Sequence, residues 1–207
     1  EFRPPALNLT VYAPDNSSSI AAEGSEILLR IGKWSHGAPA ACSADTSEPF
    51  KRPAAIEARY TIDEMPRNPA AVMVQMCLTE AAGKQIIVSH DLNFGGPAAS
   101  RAQVGGVQRQ VPCPYGARDG AFRLEFSDGH VRIVHETEWA DDLGTYLFKP
   151  TGPLSLSFRL YGSLEGGPAQ VRLTGLAIRL SAASIHMATF RRRARKLASL
   201  IRHGLTR

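Results

Sequence analysis

At 207 residues, with 43% hydrophobic side chains, 18 glycines and 14 prolines, the chain can bury a core and is punctuated by turns throughout. Its net charge of +5 is concentrated at one end: residues 191–207 hold seven arginines or lysines and no acid. That leaves 17 basic against 19 acidic side chains in the body, which argues against a nucleic-acid-binding surface on the fold itself, and no run of about 18 apolar residues exists to cross a membrane as a helix.

The chain opens on Glu1-Phe2 without a Met or a signal-peptide pattern, and it reads as a domain of a longer protein. Leu7, Leu9 and Val11 alternate with polar neighbours and predict an opening strand. Ile27, Leu29 and Ile31 predict a second. Residues 32–55, with Trp34, His36, Cys42 and three prolines, read as a long irregular segment. Period two returns in 56–62 (IEARYTI), 72–78 (VMVQMCL) and 85–89 (QIIVS), the last two joined through Ala82-Gly83-Lys84. A second irregular segment, 91–120, holds six glycines and three prolines and one short strand at 107–111. Segments of this length are frequent places for binding.

The sharpest signal is 121–136, AFRLEFSDGHVRIVHE. Two alternating runs flank Asp128-Gly129, a pair suited to a type I′ turn. A two-residue turn sets Phe126 opposite Val131, Leu124 opposite Ile133, Phe122 opposite His135 and Glu125 opposite Arg132. A slip of one residue would put arginine among the phenylalanines. Residues 137–152 read as a mixed loop and short strand. Leu154, Leu156, Phe158 and Leu160 then alternate cleanly. In 170–180 the apolar parity changes at Gly175, the mark of a β-bulge. About nine strands with no helix among them predict an all-β fold, a two-sheet antiparallel sandwich over 1–181. Residues 182–207 differ in kind. Met187, Phe190, Ala194, Leu197 and Ile201 recur at helical spacing opposite the arginines, with Ser184 and Gly204 as caps. The pattern predicts a basic amphipathic helix that docks on the sandwich, leads into a following domain, pairs chains through 185–201, or lies on an anionic membrane.

The three cysteines lack metal-ligand spacing. Cys77 sits in a strand pattern as a small hydrophobe, while Cys42 and Cys113, in the two irregular segments, are a candidate disulfide pair. No nucleophile elbow, phosphate loop or dinucleotide fingerprint occurs. His130 and His135 fall on opposite faces of one strand, so they cannot share a metal. The candidate binding residues are the loop aromatics Trp34, Tyr115, Trp139 and Tyr146 with His36, Arg118 and Asp141. Sugar C–H faces stack on such rings while hydroxyls bond such polar groups; the competing reading makes the two indoles core plugs. The acids Glu136, Glu138, Asp141 and Asp142 admit three meanings. One is a carboxylate pair on one strand, spaced for glycoside hydrolysis. The others are calcium held by Asp141 and Asp142, and a solvated loop.

The strand rhythm of 7–181, above all LSLSFRLYG (154–162) and AQVRLTGLAIRLS (169–181), resembles carbohydrate-binding modules and lectin-like jelly rolls. The segment YLFK (146–149) is similar to one in jelly-roll polysaccharide lyases, whose arginine–glutamate and Gln-x-His strand motifs this chain lacks. The resemblance implies a non-catalytic glycan-binding accessory domain of a larger polysaccharide-related protein, and the Ala- and Arg-rich composition resembles bacterial chains. The partners implied are a polysaccharide or oligosaccharide, other domains of the same chain, and a second copy through the helix. No cofactor is implied apart from calcium. The alternatives are an assembly domain acting through that helix, and a hydrolase or lyase using the 136–142 acids.

Overall fold

A computed structural model describes residues 7–12, 18–34, 39–65, 71–92, 98–113, 116–163 and 166–181. The predicted tail helix and the candidates His36 and Tyr115 lie outside them. Fourteen strands are present among the described residues, where the sequence pattern suggested nine. They are β1 (Leu7–Tyr12), β2 (Ser19–Glu23), β3 (Glu26–Ile31), β4 (Ala40–Thr46), β5 (Pro53–Glu64), β6 (Ala71–Glu80) and β7 (Gln85–Leu92). The second half holds β8 (Ala99–Val104), β9 (Val107–Pro112), β10 (Asp119–Ser127), β11 (His130–Glu136), β12 (Ala140–Leu147), β13 (Leu154–Ser163) and β14 (Ala169–Leu180).

They form two seven-stranded antiparallel sheets. The first runs β1-β4-β13-β6-β7-β8-β9 and the second β12-β11-β10-β5-β14-β3-β2. The two sheets meet at both flanks, where β1 approaches β2 and where β8 and β9 approach β12. In each sheet one late strand joins two halves: β13 lies between β4 and β6, and β14 between β3 and β5.

The alternating sequence explains the layers. Leu154, Leu156, Phe158 and Leu160 of β13 face inward with Val74, Met76 and Leu78 of β6, against Ile56, Ala58, Tyr60, Phe122, Leu124, Val131 and Ile133 of the second sheet. Burying each large apolar side chain is worth roughly 1.5–3 kcal/mol relative to exposure, so this layer is the main source of stability. The β10–β11 hairpin has the predicted register, including Phe122 opposite His135 and Glu125 opposite Arg132, and Asp128 and Gly129 take φ of 48° and 77°. The register of β14 against β5 shifts between Leu173 and Gly175, the bulge expected from the parity change.

Several expectations are corrected. Both irregular segments contain strands. In β4 the buried positions are Ala40, Cys42, Ala44 and Thr46, too small to register as a hydrophobic pattern. All three cysteines are buried free thiols. The strands β4 and β9 that carry or precede Cys42 and Cys113 are separated by four others. That is about 24 Å at the usual strand spacing, far beyond disulfide reach. Cys42 instead aims Sγ at the Arg30 carbonyl, 3.2 Å away, and burial pushes its thiol up to about 11. No helix among the described residues is long and apolar enough to cross a membrane.

Candidate functional site

The expected loop site does not assemble around two exposed indoles. Trp34 is 3% exposed and pairs through its backbone with Gly166. Its ring lies over Gly162, where a Cβ would come within 2.6 Å of Trp34 Cδ2. Trp139 is 54% exposed, but it precedes β12, which four strands of the second sheet separate from the β3 end that carries Trp34. Asp141 and Tyr146 share β12 with each other. Tyr146 donates its hydroxyl to the Leu143 carbonyl at 2.7 Å, and burial raises its phenol above the ordinary range. Arg118 is spent on the chain itself, donating to the Asp63 carbonyl at 3.2 Å.

The acidic cluster also comes apart. The strand ends at Glu136, and residues 137–139 turn, with Thr137 N bonding the Trp139 carbonyl at 2.9 Å, so Glu136 and Glu138 do not share an extended face. Glu136 pairs with Arg123 at 2.9 Å. Asp141 points inward to Ser100, whereas Asp142 points outward to Arg132, so their carboxylates do not converge on one cation. The Gly144 N–H and then Arg132 hold the Asp142 carboxyl below its usual range.

Two constellations do form. The first lies on the outer face of the first sheet. Strand register lines up one side chain from each of seven strands: Thr10 opposite Ser43, then Arg159, Gln75, Ser89, Arg101 and Gln110. Every one of them can donate or accept a hydrogen bond, and all but Ser89, which is buried and bonded to Asp91, have some exposed surface. At about 4.8 Å per strand the row spans about 29 Å, which suits a linear polymer better than a small molecule. Its β1-to-β6 half is a groove of about 430 Å³ that also takes in Ala41, Asp45, Met73 and Tyr161.

Bonds between alternate residues of one strand hold this face in place. Ser43 donates to Asp45 at 2.8 Å, Arg159 Nε to Ser157 at 2.7 Å and Ser89 to Asp91 at 2.6 Å, and Arg101 Nη2 stands 2.7 Å from Asp91. Burial pushes the Asp91 carboxyl up, with Ser89 and Arg101 opposing. The outer face of the second sheet differs. Many of its charges are already paired: Arg123 with Glu57 and Glu136, Arg132 with Glu125 and Asp142, and Arg172 with Glu23, Glu26 and Asp63.

The second constellation is a polar cluster inside the core, beside the flank where β8 and β9 meet β12. Tyr60 Oη lies 2.9 Å from His90 Nδ1 and 2.7 Å from His135 Nε2. Ser100 Oγ lies 2.7 Å from His135 Nδ1 and 2.8 Å from Asp141, and Cys113 Sγ lies 3.5 Å from His90 Nε2. One proton arrangement satisfies every contact. A carboxylate only accepts, so Ser100 donates to Asp141 and His135 Nδ1–H donates to Ser100. Tyr60 then donates to His135 Nε2, His90 Nδ1–H to Tyr60, and the Cys113 thiol to His90. Both rings are neutral in this scheme. That agrees with burial, which pulls His90 down to about 4 and His135 down to about 3. It is not a nucleophilic triad, because Ser100 bonds the imidazole and the carboxylate at once and His135 turns its other nitrogen to tyrosine. Sequence reasoning missed the cluster, although His90 and His135 sit in phase with Ile86, Val88, Val131 and Ile133, where apolar residues were due.

No protein-family model and no curated protein matches this sequence. Solved structures do match in fold. A legume lectin-like domain from Entamoeba histolytica superposes with a TM-score of 0.62 at 10% identity, covering 84% of this chain and 91% of that one. The carbohydrate recognition domain of Emp46p, in its potassium-bound form, gives 0.58 at 8%, covering 83% and 88%. The β-glucanase of Bacillus licheniformis gives 0.56 at 9%, covering 84% and 92%. The chain thus shares the lectin-like jelly-roll sandwich with them.

Proposed function

We propose that this domain binds a linear glycan along the outer face of its first sheet. The observation that carries the reading is the row of hydrogen-bonding side chains across this face, with Thr10, Ser43, Arg159 and Gln75 on one side of the buried Ser89 and Arg101 and Gln110 on the other. Sugar hydroxyls both donate and accept, and Ser, Thr, Gln and Arg offer both complements. Tyr161 and Met73, in the adjacent row, supply apolar surface for C–H faces. Because bonds along each strand already fix several of these side chains, binding loses less rotamer entropy. Lectin-like and glucanase-fold neighbours make carbohydrate the natural ligand class.

Binding without cleavage is the version favoured. Among the described residues this face carries two carboxylates near the row, Asp45 on β4 and Asp91 on β7. Two strands intervene, a separation of at least about 14 Å, wider than either glycosidase geometry. The accessory role within a larger polysaccharide-related protein belongs to the same proposal. A second contact point is offered by the exposed ring of Trp139 just before β12.

The test is calorimetric titration against a panel of soluble polysaccharides. Arg159→Ala combined with Gln75→Ala is expected to weaken binding at least tenfold with an unchanged melting temperature, and Trp139→Ala to leave it intact. Loss of binding only on Trp139→Ala would move the site to β12, and no binding to any glycan would overturn the proposal.

A further inference from the structure

We propose that Cys113, His135 and Asp141 form a binding site for a divalent transition metal of the zinc class, between the sheets at the flank closed by β12. The three side chains come from different segments: Cys113 just after β9, His135 on β11 and Asp141 on β12. They bring one sulfur, one nitrogen and one oxygen to within 4.8 Å of one another. Thiolate, imidazole and carboxylate are the donors that zinc takes, at about 2.3, 2.0–2.1 and 2.0–2.2 Å, so a small inward movement closes the set. Ser100 Oγ, 2.7 Å from His135 Nδ1 and 2.8 Å from Asp141, is placed to be the fourth donor. Cys113 and His135 are buried while Asp141 is half-buried, which leaves an entry on the β12 side.

The buried hydrogen-bond chain behind the site makes the protons balance. Without metal, His135 Nδ1 carries a proton and Cys113 is a thiol, which burial favours. Coordination needs a lone pair on Nδ1 and a thiolate on sulfur. Each proton along the chain moves one place: from Cys113 Sγ to His90 Nε2, from His90 Nδ1 to Tyr60, and from Tyr60 to His135 Nε2. The proton on His135 Nδ1 leaves to solvent. His90 then donates to the thiolate and His135 to Tyr60, so both outer nitrogens remain bonded. One proton is released per metal, and a thiolate and a carboxylate neutralise the divalent ion. Tyr60 and His90 are positioning residues here, not ligands.

Cobalt(II) added to the metal-free full chain tests this. The expected result is a near-ultraviolet thiolate-to-cobalt band with tetrahedral-type visible absorption, both erased by zinc, and release of one proton measured by calorimetry in buffers of different ionisation enthalpy. Cys113→Ser should abolish the thiolate band. Asp141→Asn, which changes a half-exposed side chain and so keeps a folded control, should weaken affinity at least tenfold. Absence of a thiolate band in the wild type would overturn the site. So would a band that survives Cys113→Ser, or an affinity untouched by Asp141→Asn.

Discussion

Tyr60→Phe removes one oxygen from the centre of the core and is expected to cost far more than its size suggests. Tyr60 is 1% exposed, and its hydroxyl is the shared partner of His90 Nδ1 and His135 Nε2. Phenylalanine would keep the ring contacts with Phe122 and Phe158, at 5.1 and 5.9 Å between centroids, so the apolar packing is nearly conserved. What is lost is the acceptor for one imidazole N–H and the donor to the other ring. Each orphaned buried polar group costs about 1–3 kcal/mol, giving about 2–6 kcal/mol for the pair, a large share of the 5–15 kcal/mol typical of a domain. Urea unfolding at pH 7 with chelator present, followed by tryptophan fluorescence, measures the loss. Tyr161→Phe, on the outer face, is the control and should stay within about 0.5 kcal/mol. A Tyr60→Phe loss below about 1 kcal/mol, or one equal to the control, would refute the directed hydrogen-bond chain.

Acidification acts on the same cluster. Both histidines have folded-state pKa values below the unfolded 6.5, so stability is complete above that pH and falls as protons bind the unfolded chain first. From pH 7 to pH 5 the metal-free protein should lose about 2 kcal/mol per histidine, and an unchanged urea midpoint over that range would contradict this. Gly162→Ala would drive a Cβ to 2.6 Å from Trp34 Cδ2 and 2.9 Å from Ile31 Cδ1. It should cost about 1–3 kcal/mol and shift the Trp34 emission, and a wild-type spectrum and midpoint would count against the slot described for that ring.

Where sequence legibility ends can be seen residue by residue. The β10–β11 register could be read because large alternating side chains and an Asp-Gly turn specify it locally. Strand β4 could not, since alanine, cysteine and threonine on its inner face carry little hydrophobic contrast. Trp34 was expected at a loop surface, but its burial depends on Gly162, 128 residues later, leaving room for the ring. The same holds for both constellations. The outer row needs the pairing order of seven strands, and the inner cluster gathers Tyr60, His90, Ser100, Cys113, His135 and Asp141 from six separate segments. One trace was readable in advance: a histidine on the apolar parity of a strand marks a core position that must find partners.

The placement of β13 and β14 has a consequence for how the molecule comes into being. Up to about residue 153, a nascent chain can form only partial sheets: β1 with β4, β6 through β9, β2 with β3, and β5 with β10 through β12. Each has an open edge waiting for a strand not yet made. The last two strands close both layers almost together, so the protein matures late and as a whole, and a chain cut short before them would be four sticky ribbons instead of a smaller version of the same molecule.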